Sequence, residues 1–196
     1  MTEASPPARE RIVAGAADMI RRRGLNATSI RETAKHAKAP LGSTYHYFPG
    51  GKQQLTTEAV RYAGEVVARV LRERVSEEPV AGLRALLEMW RAIVVGTGFR
   101  AGCTVLAVAI EEPAEPGGSS VLEAAAEVFG EWEGLLGASL RARGVEAERA
   151  ARVATLVVAS VEGSVALCRA KRSAEPLDRV AAELEAVLAD ALGSAP

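Results

Sequence analysis

The chain has 196 residues, of which 48% are hydrophobic and 25% charged, and its formal net charge is −1. This composition excludes a disordered chain, and the length allows about two domains. Two cysteines are too few for a disulfide framework, and no cysteine or histidine spacing is typical of a metal site, so we expect no metal or cofactor. Without a signal-peptide pattern or an apolar run of the ~18 residues that a membrane span needs, we expect a cytoplasmic protein.

The near-zero net charge is distributed unevenly along the chain. Residues 1–62 contain ten basic and five acidic side chains, which leaves a balance of +5. The remaining residues contain 14 basic and 20 acidic side chains, a balance of −6. A basic first third joined to an acidic body predicts two functions, one of which faces a polyanion.

Almost the whole chain after Pro7 has the composition and periodicity of helix. Ala, Leu, Glu and Arg dominate, and apolar residues recur at positions i, i+3 and i+4. Gly24 is the expected end of the first helix, and Thr28 or Ser29 the expected cap of the second. We predict an all-α fold of about nine helices, at Ala8–Arg23, from Ile30, at Leu41–Tyr47, at Lys52–Arg74, and at roughly 80–97, 101–112, 119–143, 146–171 and 176–192.

The second and third of these helices are short and joined by a tight turn, which is typical of a helix-turn-helix. The second helix of such a pair must present small or polar side chains to base edges in the major groove, and Leu41–Thr44 has this character. Tyr45 and His46 offer donors to phosphate oxygens, and Lys52 adds a cation at the next helix start. The alternative is that the aromatic run Tyr45–Phe48 packs in a core.

These residues resemble a known family. Thr28–Arg31, Gly42–Pro49, Lys52 and Leu55 are similar to the N-terminal domain of the TetR family of transcriptional repressors. Gly102–Cys103 and Glu162–Gly163 resemble the LmrA/YxaF-like branch of that family. The resemblance implies a helix-turn-helix DNA-binding domain over residues 1–60 and a C-terminal effector-binding and dimerisation domain over residues 61–196.

The resemblance also implies roles for residues of the N-terminal domain. Thr28 caps the second helix and contacts phosphate beside Arg31, while Tyr47 and Phe48 hold the small domain together. Lys38 occupies a position where the family usually has glycine, so either the turn differs or Lys38 reaches a phosphate. Leu41 occupies a position where many members have lysine. The implied DNA-contacting residues are Thr28, Arg31, Lys38, Leu41, Gly42, Ser43, Thr44, Tyr45, His46 and Lys52.

Two features of the acidic body bear on function. Residues 152–168 are apolar almost all round, which predicts a buried helix. The resemblance implies that the last two helices pair with those of a second copy, and the alternative is an ordinary intramolecular core. A largely apolar ligand pocket is also predicted, although each of its residues has core packing as its alternative. The predicted pocket residues are Trp90, Phe99, Cys103, Leu106, Ile110, Phe129, Trp132 and Leu136.

Four glutamates of the body, Glu111, Glu112, Glu131 and Glu133, are candidate partners for a cationic ligand, with a solvated face as the alternative. The function predicted overall is a TetR-like repressor that binds a palindromic operator as a homodimer and is released by a small, largely apolar ligand. The alternative is a DNA-binding protein without effector control. We do not expect an enzyme, because both histidines, His36 and His46, lie in the basic third, and no nucleophile motif or phosphate loop is present.

Overall fold

The computed structural model describes residues 7–75, 78–112 and 119–193. Over these ranges the chain is helical, without strands, which confirms the predicted all-α class. The helices that it contains are α1 (Ala8–Arg23), α2 (Ile30–His36), α3 (Leu41–Tyr47), α4 (Gly51–Val75), α5 (Pro79–Gly96), α6 (Thr104–Ala109), α7 (Ser119–Arg141), α8 (Ala147–Lys171) and α9 (Glu175–Gly193).

The ends of α1 and α2 follow local backbone chemistry. Gly24 adopts a φ of +91°, which favours glycine, and its N–H donates to the Ile20 carbonyl to close α1. Ser29 begins α2, because its hydroxyl accepts a hydrogen bond from the Glu32 N–H. The N-cap is therefore Ser29. This corrects the expectation that Thr28 caps the helix.

The sixth helix is shorter than its predicted range of 101–112. Residues 101–103 are buried but not helical, and α6 begins only at Thr104. A Cβ at position 102 would lie 4.0 Å from Cγ1 of Val165, so this segment packs closely along α8. Helical periodicity alone does not reveal that these three residues lie outside the helix.

Two compact units make up the chain, one of Met1–Gly64 with Thr104–Ala126, and one of Glu65–Cys103 with Glu127–Pro196. We refer to them as the N-terminal unit and the C-terminal unit. The sequence division at residue 60 did not foresee that α6 groups with the first three helices. Thr104 explains this grouping, because its buried hydroxyl donates to the Ala17 carbonyl of α1 at 3.1 Å.

The N-terminal unit has its core where α1, α2 and α3 meet the first half of α4. Its fully buried side chains include Ile12, Ile20, Phe48, Leu55 and Val60. These residues come from α1, from the end of α3 and from α4, so the orientation of α3 depends on packing from both neighbours.

In the C-terminal unit, α8 and α9 pack against each other and both contact α5. Ion pairs at the surface join α5 to α9, as between Arg84 and Glu185 at 2.7 Å and between Arg91 and Asp178. Among the described residues, α8 is long and apolar enough to cross a membrane, but half of its most apolar stretch is buried, as in many core helices.

Candidate nucleic-acid interface and interior site

The turn between α2 and α3 keeps a left-handed residue although the sequence places a lysine there. Lys38 has a φ of +51°, and the neighbouring Ala39 N–H donates to the Ala34 carbonyl at 2.9 Å. A lysine adopts this conformation at a steric cost that glycine avoids. The turn therefore has the left-handed conformation that a glycine at this position would favour, and the Lys38 side chain is exposed at its surface.

Helix α3 has one buried face and one exposed face. Phe48 at its end is fully buried, whereas Tyr45 is 55% exposed and His46 is exposed. Gly42 is exposed with open space around its Cβ position, and Ser43 is half-buried. Within the aromatic run, Phe48 packs in the core whereas Tyr45 and His46 face solvent. The alternative that the whole run packs in a core therefore holds only for its end.

Two threonines that the resemblance assigned to DNA contact are buried. Thr44 is fully buried and its hydroxyl donates to the Pro40 carbonyl at 3.1 Å. Thr28 is 1% exposed and donates to the Gly24 carbonyl at 2.9 Å. Both hydroxyls satisfy backbone carbonyls inside the unit. This corrects the assignment of Thr28 to phosphate and of Thr44 to the major groove through their side chains.

Exposed cations lie on α2 and in the turn that follows it. Arg31, Lys35 and Lys38 are exposed, and none of them pairs with a carboxylate in the part of the chain that the structure describes. Lys52 lies half-buried at the start of α4, and Leu41 is half-buried at the start of α3. Unpaired cations beside the exposed face of α3 favour the approach of a polyanion.

The acidic side chains of this unit are instead used to brace its helices. Asp18 of α1 accepts hydrogen bonds from Arg21 and Arg22 and lies 3.1 Å from Nε2 of His36, which ties α2 to α1. Burial raises the pKa of Asp18, but the hydrogen bonds from Arg22 and Arg21 outweigh it and hold that pKa below its ordinary value.

A second brace joins α1 to α4. The Arg9 guanidinium donates to both carboxylate oxygens of Glu58, at 2.8 and 2.7 Å. The same guanidinium lies 5.2 Å from the centre of the Phe48 ring, within the range of a cation–π contact. Arg9 therefore contacts both α4 and Phe48, the residue that follows α3.

Glu111 has a role that sequence reasoning missed. Its carboxylate, just after α6, accepts hydrogen bonds from the backbone N–H groups of Leu25 at 2.9 Å and Asn26 at 3.0 Å. The Asn26 side-chain amide donates to the Glu112 carbonyl at 3.0 Å. Glu111 thus clamps the turn between α1 and α2 to the end of α6. This is a correction of its candidate role as a ligand partner, and only the folded chain brings these residues together.

The eight predicted pocket residues do not fall within one unit. Leu106 and Ile110 belong to the N-terminal unit, where Ile110 is 74% exposed, and the other six belong to the C-terminal unit. Ile110 therefore lines no enclosed cavity, which corrects that part of the prediction. Of the six, Trp90, Cys103, Trp132 and Leu136 are buried, whereas Phe99 and Phe129 are half-buried.

The structure brings two predicted pocket aromatics together and strains a third. The rings of Phe129 and Trp132 meet edge to face, with their centres 5.4 Å apart at 85°. Phe99 has a φ of +59°, an uncommon conformation for a bulky residue. Glu131, beside this pair in sequence, forms an ion pair with Arg72 at 2.6 Å, so this candidate ligand partner is engaged at the surface.

The C-terminal unit contains a buried carboxyl, Glu162, which the sequence analysis named for its resemblance to the family branch but did not select as a site residue. Glu162 of α8 is 4% exposed, and its carboxyl accepts a hydrogen bond from the Cys103 thiol. Burial raises the pKa of Glu162 to about 7, and the thiol hydrogen bond opposes that rise. A lone glutamate within the apolar stretch 152–168 was the available signal, because a charged residue in a buried helix needs a reason to be there.

Helix α8 is not covered on all sides within one chain. Leu156 and Leu167 are 46% and 48% exposed, and the small residues Ala159 and Gly163 between them are exposed as well. Leu156 of α8 and Val187 of α9 line a groove between these helices, with charged residues such as Arg149 and Asp190 also in its lining. The prediction of a helix buried all round is therefore wrong for the isolated chain, which leaves an apolar stripe on α8 at the surface.

Comparisons with known proteins agree with this arrangement. Residues 12–59 match bacterial regulatory proteins of the tetR family, and residues 79–183 match the C-terminal domain of LmrA/YxaF-like transcriptional regulators. An HTH-type transcriptional regulator of Mycobacterium tuberculosis is 42% identical over 183 residues, which are 92% of this chain and 93% of that protein. The HTH-type transcriptional regulator LmrA of Bacillus subtilis is 30% identical over 173 residues, 86% of this chain and 90% of that protein.

A solved structure shares the fold at lower sequence identity. The regulatory protein TetR from Rhodobacter sphaeroides matches with a TM-score of 0.80 and 22% identity, over 92% of this chain and 98% of that one. The matching domains and the relatives' identity together assign the family. The chain belongs to the TetR family of DNA-binding, helix-turn-helix transcriptional regulators, with a C-terminal domain of the LmrA/YxaF-like type.

Proposed function

We propose that this regulator is a cytoplasmic repressor that binds a palindromic operator as a homodimer and leaves it when a small, largely apolar ligand enters the C-terminal unit. The observation that carries the proposal is the apolar stripe on α8. Half-exposed leucines with small residues between them are a costly surface for a monomer and a suitable one for close helix packing. A second copy that covers this stripe supplies the second DNA-reading unit.

The DNA contacts in this proposal come from the exposed side of α2 and α3. Gly42 and Ser43 approach base edges, since neither side chain blocks the groove. Tyr45, His46 and Lys52 contact phosphates. Arg31 and Lys38 add charge beside them, with Leu41 at the rim of the major-groove contact. Thr28 and Thr44 act from inside by fixing the backbone, because their hydroxyls are occupied by carbonyls.

Two reading units are needed because each carries a modest charge. Phosphate contacts supply affinity that weakens steeply with salt, so one unit alone binds weakly. Joining two units makes the second binding event intramolecular and raises the overall affinity without new contacts. The two half-sites then lie one helical turn apart, or a multiple of it. For the ligand to release the operator, ligand binding and DNA binding must be coupled by about 1–3 kcal/mol, as is usual in allostery.

The proposal is tested with a dimer variant and a matched control. Leu167→Glu places a charge on the α8 stripe, whereas Val95→Glu places one on α5 at an apolar position of equal exposure, 48% in each case. We expect Leu167→Glu to sediment as a monomer and to lose operator binding, and Val95→Glu to behave as the unaltered chain does. A wild-type monomer that binds its operator tightly argues against the proposal.

The operator itself is obtained by selecting bound fragments of genomic DNA with the purified protein. Palindromic half-sites are the expected result. Tyr45→Ala and Lys52→Ala should weaken binding to all sequences alike, whereas Ser43→Ala should change which sequence is preferred. Release of the selected fragment by an apolar compound distinguishes a ligand-responsive repressor from a DNA-binding protein without effector control.

A further inference from the structure

The interior of the C-terminal unit contains polar atoms that the fold leaves unsatisfied. In the ranges that the structure describes, two buried side-chain atoms lack a hydrogen-bond partner: Nε1 of Trp90 and Oε2 of Glu162. The great majority of buried polar groups in proteins are paired, and an unpaired one is a net cost to folding. Such a cost is retained where the group pairs with something that the isolated chain does not contain.

The surroundings of Glu162 leave its carboxyl one hydrogen-bond partner short, and a ligand can supply that partner. One carboxyl oxygen is engaged by the Cys103 thiol, and the other is the unpartnered Oε2. The flanking residues of α8, Val158, Val161 and Val165, are buried and apolar. Helix α5, which carries Trp90, packs against α8. The Glu162 carboxyl thus lies among buried apolar side chains, and small-molecule sites use a few polar groups of this kind to fix the orientation of a ligand.

We propose that Glu162 is the polar anchor of the effector site and that the effector is an apolar amine, bound as its ammonium ion with an N–H donating to Oε2. This inference rests on the proposed ligand-responsive function and names the chemical class of the ligand. It assigns the carboxyl partner to Glu162, which was not among the four glutamates that the sequence offered for a cationic ligand.

Charge favours an amine over other polar groups. An ionised carboxylate offers only acceptors, so its partner must be a donor. An ammonium ion donates and also neutralises the buried negative charge, whereas a hydroxyl donates without neutralising it. A ligand carboxylate would be repelled. The amine therefore gains most from Glu162, provided that the remainder of the molecule is apolar.

The test compares ligands that share one skeleton. Phenylbutylamine, phenylbutanol and phenylbutyrate are titrated into the full-length dimer and followed by calorimetry and tryptophan fluorescence, and hexylamine and hexanol repeat the comparison on a second skeleton. We expect the amines to bind at least about tenfold more tightly than the matched alcohols. We expect phenylbutyrate to bind most weakly. Equal affinities within each skeleton, or no binding of either amine, would overturn the proposal.

Glu162→Gln removes the charge with little change of shape, and Glu88→Gln is the matched control on an exposed carboxyl of α5. The amine preference should vanish in Glu162→Gln and persist in Glu88→Gln. A preference that survives Glu162→Gln in a folded dimer overturns the proposal. Proton release can be measured on the wild type alone. At pH 7 about half of the Glu162 carboxyls are protonated, so binding of an ammonium ion should release about half a proton per amine, and binding of an alcohol should release none. Amine binding without proton release also contradicts the proposal.

The outcomes separate this inference from the function on which it rests. If apolar alcohols release the operator as well as amines do, and Glu162→Gln changes neither, the repressor function stands and the amine anchor fails. If the amine binds through Glu162 but the operator complex is unaffected, the anchor stands and the ligand control of DNA binding fails.

Discussion

The two units of this regulator differ in how completely their buried polar groups are paired. In the N-terminal unit buried threonine hydroxyls donate to backbone carbonyls, as Thr28 does to Gly24 and Thr44 to Pro40. In the C-terminal unit the buried Ser164 hydroxyl also donates to a carbonyl, that of Val161, but Trp90 and Glu162 each keep a buried polar atom without a partner. Satisfied networks hold a backbone in one conformation, whereas unsatisfied groups reward the binding of something else. The contrast fits a DNA-binding unit of fixed geometry and supports the ligand site proposed for the C-terminal unit.

The charges follow the same division. Acidic residues of the N-terminal unit pair with arginines of their own unit, as Asp18 and Glu58 do, and this leaves exposed cations on α2 for an external polyanion. In the C-terminal unit, surface carboxylates such as Glu131 and Glu185 pair with arginines, while Glu162 lies inside. The position of a carboxylate, more than the number of carboxylates, therefore separates those that brace helices at the surface from Glu162, on which the proposed ligand site depends.

The largest expected effect breaks the fixed geometry of the N-terminal unit. Gly24→Ala adds a Cβ that would lie 2.0 Å from Glu111 Oε1, at a residue with a φ of +91°. The carboxylate can move away, but it then releases the Leu25 and Asn26 N–H groups. Backbone strain and the displaced contacts together should lower the free energy of unfolding by about 4 kcal/mol, measured by urea denaturation.

The control for this change is Gly42→Ala, where a Cβ meets no atom within 4 Å. That variant should be slightly more stable, since alanine is the better helix former. Equal stabilities of the two variants would contradict the assigned role of Gly24.

The second expected effect concerns the unsatisfied interior of the C-terminal unit. Folding raises the pKa of Glu162 from its ordinary value of 4.5 to about 7, so the folded chain binds the proton more tightly than the unfolded chain. The contribution of this carboxyl to stability is then fully present below about pH 4.5 and is lost as the pH rises through about 7. The difference between the two pKa values corresponds to roughly 3 kcal/mol.

Glu162→Gln lacks this titration. Its free energy of unfolding, relative to the wild type at the same protein concentration, should increase by roughly 3 kcal/mol between pH 4.5 and pH 8. Glu88→Gln should track the wild type across that range. A constant difference between Glu162→Gln and the wild type at all pH values would show that the buried carboxyl does not titrate in this way.

A smaller effect is expected when the clamp at the α1–α2 turn is removed. Glu111→Ala leaves the Leu25 and Asn26 N–H groups without their acceptor and should cost about 2 kcal/mol. Hydrogen exchange of the Leu25 amide should accelerate in parallel. Glu112→Ala is the matched control, because the Asn26 amide donates to the backbone carbonyl of that residue, which the substitution keeps. Equal losses from both variants would disprove a specific clamp.

The smallest expected effect concerns the turn between α2 and α3. Lys38→Gly relieves the left-handed strain and should stabilise the unit by about 0.5–1 kcal/mol while it removes a cation. Lys35→Gly removes the same charge from inside α2 and should instead destabilise by about 1 kcal/mol. Thermal unfolding measures the opposite signs. A lower operator affinity in Lys38→Gly, despite its greater stability, would identify Lys38 as a phosphate contact.

The sequence alone determines the bounds of several helices, the family and the uneven distribution of charge. Helical periodicity predicts α1 and α3 with their observed bounds, since these helices begin and end at local signals such as Pro40 and Gly24. The motif from Gly42 to Pro49 identifies the family, and the uneven charge indicates a unit that faces a polyanion. These are short-range properties, which depend on neighbours in the chain.

The tertiary structure decided what long-range contacts control. Thr44 lies in the motif but turns inward, because α3 presents one face to α1. Glu111 clamps a turn that lies 86 residues away in the chain. Glu162 lies in the apolar stretch 152–168 of α8. The sequence of this stretch does not show which side of the helix faces Cys103 and which side stays exposed. Spacing shows which residues share a helix face, but only packing shows which face is covered and which polar atom remains without a partner.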